Sequence, residues 1–206
     1  MTTLVLLDTN AYLRLAKRVR PLLGKKFGQK DYVLTVLKDV QNEVLRQPRL
    51  QFLYPWFDAD ELLAQERLGN TIKLSKGEKA TLDAAASVLH GIVQMDLQRF
   101  MKHRRSPPSY TDCRVLAFGQ IRPAVVVTDD LGMHELADLT GSGDVWHGHG
   151  LLKKMLSAKL IDNDLVRAIY AALESNTLDG SNDLPASWQK VKHTAFLKVF
   201  GKSNAP

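Results

Sequence analysis

Four carboxylates stand where a folded chain would gather them. Asp8 ends the apolar run Leu4 to Leu7, and Asp129 and Asp130 follow the run Ala124 to Thr128. Short apolar runs closed by turn-forming residues read as strands buried on both faces of a parallel sheet. Ligands of such sheets bind beyond the carboxyl ends of the strands, so two strands deliver acids to one rim. Each acid is also suited to cap the helix that follows it, and capping and metal binding can coexist. Glu43 joins them through helical periodicity. At 100° per residue Val33, Val36, Leu37, Val40 and Val44 share one stripe, and Glu43 falls about 20° outside its edge. An ionised acid at a core edge is costly unless a cation compensates it, and a Lys or Arg would serve as well as a metal. Asp112 shares a helical face with Val115, Leu116 and Gly119. Its alternative role is equally concrete, since Ser109 to Asp112 has the form of a capping box with Asp as the acid.

Gathered in one pocket, these acids would need compensation. Two carboxylates about 5 Å apart repel by roughly 3 kcal/mol at an effective dielectric near 20. Hard oxygen ligands without His or Cys suit Mg²⁺ or Mn²⁺ rather than zinc. Such ions activate water and clamp the oxygens of an in-line phosphoryl displacement. The chain carries 28 Lys plus Arg against 22 Asp plus Glu, a formal charge of +6. Acids around a metal within a basic protein point to phosphodiester hydrolysis.

The elements that must position these acids follow from the same pattern. After the strand ending at Leu7, Ala11 to Val19 reads as a helix. Residues 20–31, with Pro21, Gly24 and Gly28, read as a basic loop, and Val33 to Gln47 as a second helix stopped by Pro48. Residues 48–76 are ambiguous apart from a helix near Ala59 to Leu68. A long helix runs from Gly77 to about His103, and a short one from Thr111 to Gln120. Beyond the strand Ala124 to Thr128 come a helix Leu131 to Leu139 and a short strand Asp144 to His147. Two helices over 151–175, a loop over 176–186 and a helix Ser187 to Val199 complete the chain. Strands alternating with helices argue for an α/β fold with a mainly parallel sheet.

The motifs resemble those of the PIN-domain nucleases, which include VapC-type toxins. They are Leu4 to Asn10 (LVLLDTN), Val40 to Leu45 (VQNEVL), Ser109 to Ala117 (SYTDCRVLA) and Val125 to Leu131 (VVVTDDL), with 16 residues from Asp112 to Thr128. The resemblance covers about residues 3–150. It implies an α/β/α sandwich and a metal-dependent endoribonuclease, with Asp8, Glu43, Asp112 and Asp130 as ligands of Mg²⁺ or Mn²⁺. It also implies supporting roles for Asn10 and Thr128, with Asp129 in the variable place of the last motif. Toxin-type members would add a cognate antitoxin protein as a partner. An RNA-binding scaffold with little catalysis and a structure-specific DNA nuclease of related fold are the rival functions. Two features depart from the compact family pattern: the long interval between Glu43 and Asp112, and everything after residue 150. Glu78 and Asp96, on the apolar face of the long helix, are second-tier ligand candidates, or else a helix-start acid and a core-edge ion pair.

Composition sets the remaining bounds. At 206 residues, 45% hydrophobic and 24% charged, the chain can bury a core without staples and is no disordered tract. A lone Cys113 makes no internal disulfide, so a reducing, cytoplasmic setting is expected. No apolar run approaches the roughly 18 residues of a membrane span, and Met1 to Asp8 lacks the features of a signal peptide. His147 and His149 lack further zinc ligands nearby. Basic clusters at Lys17, Arg18 and Arg20, at Lys25 and Lys26, and at Lys102, Arg104 and Arg105 are expected to flank the acid rim and hold RNA. Residues 1–150 are read as the nuclease domain and 151–206 as a helical extension packed on or beside it. Its last helix, with Trp188, Val191, Ala195 and Val199 at helical spacing and Phe196 and Phe200 beside them, is basic and amphipathic. It would serve as a strut, a homodimer contact or an RNA-holding arm, tuning binding and leaving the chemistry alone.

Overall fold

A computed structural model describes residues 2–102, 106–175, 177–178 and 181–191. Its centre is β1 (Thr3–Leu7), whose Val5, Leu6 and Leu7 are inaccessible to solvent on both faces. Parallel strands flank it: β3 (Tyr32–Thr35) on one side, β4 (Ala124–Val127) on the other, then β5 (Asp144–Trp146). A short antiparallel strand, β2 (Lys26–Phe27), extends β3 and completes the order β2-β3-β1-β4-β5. The chain is therefore α/β with a mostly parallel sheet.

Helices cover both faces. On one, α1 (Thr9–Ala16), α2 (Lys38–Arg46), α10 (Gly148–Ser157) and α11 (Asn163–Ser175) share a core with Val5, Leu7, Leu34, Val125 and Val127. On the other, α6 (Lys76–Met95), α8 (Tyr110–Ala117) and α9 (Leu131–Thr140) enclose Leu6 and Val126, with Leu82, Leu89, Val93 and Leu116. The alternation of side chains along β1 and β4 thus feeds two separate cores, as period-2 geometry requires. Among the described residues no helix is long and apolar enough to cross a membrane.

The structure corrects the sequence reading at several elements. The helix expected over Val33 to Gln47 is a strand and a shorter helix. Tyr32 to Thr35 pair with Thr3 to Leu6, and α2 begins only at Lys38. The apolar stripe made by Val33 and Val36 suited a helix, but the β-branched run completes the sheet beside β1. The basic loop holds β2, and the ambiguous stretch resolves into α3 (Pro48–Leu53), α4 (Trp56–Ala59) and α5 (Glu61–Asn70). The long helix breaks at Asp96, which caps the short α7 (Leu97–Phe100) through the Arg99 N–H. The expected loop over 176–186 contains a two-residue hairpin, β6 (Thr177–Leu178) with β7 (Ser181–Asn182). The last helix, α12, is described over Ala186–Val191, and its continuation to Val199 lies outside the described residues.

The segment after residue 150 joins the sheet's own core. Leu151, Leu152, Met155, Val166, Ile169 and Leu173 pack there with Leu184 and Trp188.

One buried cation anchors the α4–α5 region. Arg67 is 3% exposed, donates to the Phe57 carbonyl at 3.0 Å and the Tyr12 hydroxyl at 3.4 Å, and lies 3.7 Å over the Phe57 ring. Replacing it strands a buried carbonyl and opens a void. Arg67→Ala is expected to lower stability by about 3 kcal/mol in urea unfolding with an unchanged m-value. A loss below about 1 kcal/mol would show that α4 and α5 dock without it.

Candidate active site

Asp8 stands where β1 passes into α1. It is 4% exposed, and its own N–H still donates to Val127 O at 3.0 Å, so β1 and β4 remain paired at the rim. Asp8 Oδ1 accepts the Ala11 N–H at 2.5 Å as the N-cap of α1, and Oδ2 accepts a short hydrogen bond from the Thr128 hydroxyl. Burial pushes this carboxyl up to about 7, against the opposing pull of Thr128, the Ala11 N–H and the Arg14 charge. Thr128, wholly buried, also accepts the Asp130 N–H at 3.0 Å and so ties the two strand ends together.

Asp130 caps α9 through Oδ1, which accepts from Gly132 N at 2.6 Å and Met133 N at 3.1 Å. Gly132 leaves room for that approach. A Cβ there would meet Asp130 Oδ1 at 3.0 Å and Pro108 Cδ at 3.1 Å. Asp112, in the first turn of α8, completes the capping box with Ser109 through Oδ2, at 2.7 Å to the backbone N and 2.8 Å to the hydroxyl. Among the described residues, Asp112 Oδ1 and Asp130 Oδ2 receive no hydrogen bond. Glu43 accepts the Thr9 hydroxyl at 2.5 Å through Oε2 and the Gln47 amide at 3.0 Å through Oε1.

These acids sense one another. Burial raises the Asp112 carboxyl to about 6, Ser109 opposes the rise, and the charges of Asp130 and Glu43 add to it. Helices α8, α9 and α2 thus bring three carboxylates within electrostatic reach, next to the strand end that holds Asp8. Among the described residues none of the four pairs with a Lys or Arg. The nearest cation on the same helix, Arg114, turns away to Asp39 and Asp83. The donor chemistry fits a hard divalent cation: all-oxygen, anionic and uncompensated. As the side chains stand, no three Asp, Glu, His or Cys groups among the described residues converge tightly enough to hold an ion.

Other sequence candidates take different places. Glu78 belongs to the Ser75 capping box of α6 and binds Arg122, two residues before β4, so it lies at the opposite end of that strand from Asp130. Asp96 is a helix cap, as above. Asn10 is exposed on the first turn of α1 and makes none of these hydrogen bonds; the residue that reaches Glu43 is its neighbour Thr9. A hydroxyl beside a strand-end acid was the available signal for Thr9.

Asp129 is structural in a specific way. Its Oδ1 accepts from Gly148 N at 3.1 Å, Ser187 Oγ at 3.1 Å and Trp188 Nε1 at 2.8 Å, and Arg14 lies 3.6 Å from Oδ2. Burial alone would raise its carboxyl, yet His147, Arg14, Trp188 and the Gly148 N–H outweigh that and hold it below the usual range. Gly148 has no room for a Cβ, which would lie 2.6 Å from the Trp188 ring. His147 stacks between His134, at 3.9 Å, and His149, at 5.3 Å, and burial lowers the basicity of both outer rings. Cys113, buried next to Asp112, has its thiol pushed up to about 12 by burial and by that neighbour, as an inert core thiol should.

The first basic cluster is set back from the acids. Lys17, Arg18 and Arg20 follow the far end of α1, and Lys17 is roughly 13 Å along the helix from Asp8 at 1.5 Å per residue. Arg20 is held by Asp60 at 2.8 Å. Lys25 and Lys26 are exposed beside β2, and Lys102 is exposed after α7; Arg104 and Arg105 lie outside the described residues. Comparison of the chain with protein-family models, curated proteins and solved structures finds no match, so the family resemblance rests on the motifs themselves.

Proposed function

We propose that the chain is a PIN-type endoribonuclease in which Asp8, Glu43, Asp112 and Asp130 hold Mg²⁺ or Mn²⁺ against an RNA phosphodiester. One observation carries this reading. Asp112, Asp130 and Glu43 come from three helices, the charges of Asp130 and Glu43 add to the raised proton affinity of Asp112, and among the described residues no Lys or Arg pairs with them. Such an arrangement is unfavourable in itself and is relieved by a divalent cation. The bound ion supplies an activated water and neutralises charge on the phosphate. The chain's own residues fix the carboxylates: Thr128 and the Ala11 N–H orient Asp8, Thr9 and Gln47 orient Glu43, and Ser109 orients Asp112. Without the cation, protonation relieves the crowding only as pH falls, through about 7 at Asp8 and about 6 at Asp112.

A second reading, an RNA-binding scaffold without cleavage, is favoured by the absence of a tight three-ligand cluster among the described residues. A nuclease assay on matched RNA and DNA decides between them. Cleavage of RNA is expected with Mg²⁺ or Mn²⁺, to be lost on chelation, and not to be restored by Zn²⁺ alone. Cleavage persisting after exhaustive chelation would remove the acids from the mechanism. Binding without cleavage under every metal would establish the scaffold.

A further inference from the structure

We infer that a second, separate cleft binds single-stranded polynucleotide, between the β2–β3 hairpin and the carboxyl half of α10. It deepens the nuclease reading and takes from it only the polynucleotide nature of the substrate. The cleft encloses about 620 Å³, within the range of small-ligand sites. Phe27 and Tyr32 line one wall with their rings 5.6 Å apart, and Tyr32 meets Trp146 edge-on at 5.1 Å. Lys30, Lys153 and Lys154 line it with Gln29 and Ser157, and among the described residues no carboxylate does.

Among the described residues Lys30, Lys153 and Lys154 have no acidic partner, and Lys154 rests 4.3 Å over the Trp146 ring. Three ammonium groups lining one groove suit a phosphate backbone. Tyr32, partly exposed beside the core residue Phe27, gives the groove one aromatic surface on which a single-stranded base can stack, which an acidic peptide would not need.

Position links the cleft to the acids. Helix α10 begins at Gly148, bonded to Asp129 next to Asp130, and Lys153 lies five residues on. At 1.5 Å per residue that is about 8 Å along the axis from the rim, so a strand in the cleft would have to continue past the start of α10 to meet the acids.

The test is fluorescence anisotropy of a labelled ten-nucleotide RNA, and of DNA of the same sequence, in chelator. The intact chain is expected to bind, and tighter binding of either arm supports the cleft while showing which sugar it prefers. Lys30→Glu with Lys153→Glu, both on exposed side chains, should weaken binding at least tenfold. The same pair should flatten the salt dependence by about 1.4 units of slope, at roughly 0.7 for each of two phosphate contacts. Lys76→Glu, exposed at the start of α6, should bind within twofold of the parent. Tyr32→Phe should keep affinity, and Tyr32→Leu should lose about threefold or more if it folds. Equal affinity in the charge-reversed pair overturns the inference, as does displacement of the RNA by an acidic peptide at equal concentration. Binding here without cleavage in Mg²⁺ or Mn²⁺ overturns the nuclease reading and leaves the cleft standing. Cleavage with unaltered binding in the charge-reversed pair does the reverse.

Discussion

Asp8→Asn is expected to lose RNA cleavage by at least about a thousandfold while gaining thermal stability in metal-free buffer. The two effects share one cause. Asp8 is buried at a strand end, and its folded-state proton affinity, near 7, is well above the unfolded value of 3.8. A carboxyl raised in this way favours the folded state when protonated. Its contribution is fully present below the unfolded value and is lost as pH rises through the folded one. Parent protein in chelator should therefore lose stability between about pH 4 and 7, by up to about 4 kcal/mol for this group. Asp112, raised to about 6, adds a second loss over pH 4 to 6. Asn at position 8 keeps the acceptor for the Ala11 N–H and donates to Thr128, whose hydroxyl can turn to Met133 Sδ, 3.4 Å away. It carries no charge to desolvate. Melting curves from pH 4 to 8 should be flatter for Asp8→Asn than for the parent, and higher near pH 8. Added Mn²⁺ should stabilise the parent at pH 8 and leave the variant unchanged. Full cleavage by Asp8→Asn in saturating Mn²⁺ would sink the site, and a lower melting temperature at every pH would leave Asp8 as a helix cap alone.

The second large effect lies at the other end of the chain. Sequence periodicity made the last helix an accessory that deletion would leave uncoupled from the chemistry. In the structure Trp188 is 1% exposed, sits in the core with Tyr170 at 5.0 Å, and donates to Asp129 at 2.8 Å. Trp188→Ala should cost about 3 to 5 kcal/mol, from lost burial and from an unfilled cavity. For a chain of this size that is a fall of roughly 10 °C in melting temperature. Ending the chain at residue 183 should cost at least as much, because Leu184 leaves the same core. Trp188→Phe should recover most of the volume while Asp129 loses one of its donors, and so fall between the two. A truncated chain that melts within about 2 °C of the parent would show that the core closes without α12.

Much of the candidate site was legible in local sequence. Asp8 and Asp130 advertise themselves because apolar runs end at turn formers, and both do cap the next helix. The Ser109–Asp112 capping box was readable because its spacing is local and its partners are three residues apart. A parallel α/β fold followed from β1 and β4, whose continuous hydrophobicity only a doubly covered strand explains.

What the sequence alone could not decide were the long-range choices. Val33 to Val36 fits a helical stripe as well as a strand, and pairing of Tyr32 to Thr35 with Thr3 to Leu6 settles it, through bonds about 30 residues apart. Thr9, not Asn10, supports Glu43, because helix rotation points one side chain at α2 and the other at solvent. Asp129 and Asp130 are adjacent and alike in type. Only the fold sends one toward Asp112 and Glu43 and the other beneath Trp188. The cation Lys17 looked close to the acids in sequence, but α1 carries it away, while Lys30, Lys153 and Lys154, far apart in the chain, are brought to one cleft by a hairpin and a helix. Local chemistry named the acids; tertiary packing chose their neighbours, since charge, burial and hydrogen bonding depend on contacts that no spacing along the chain encodes.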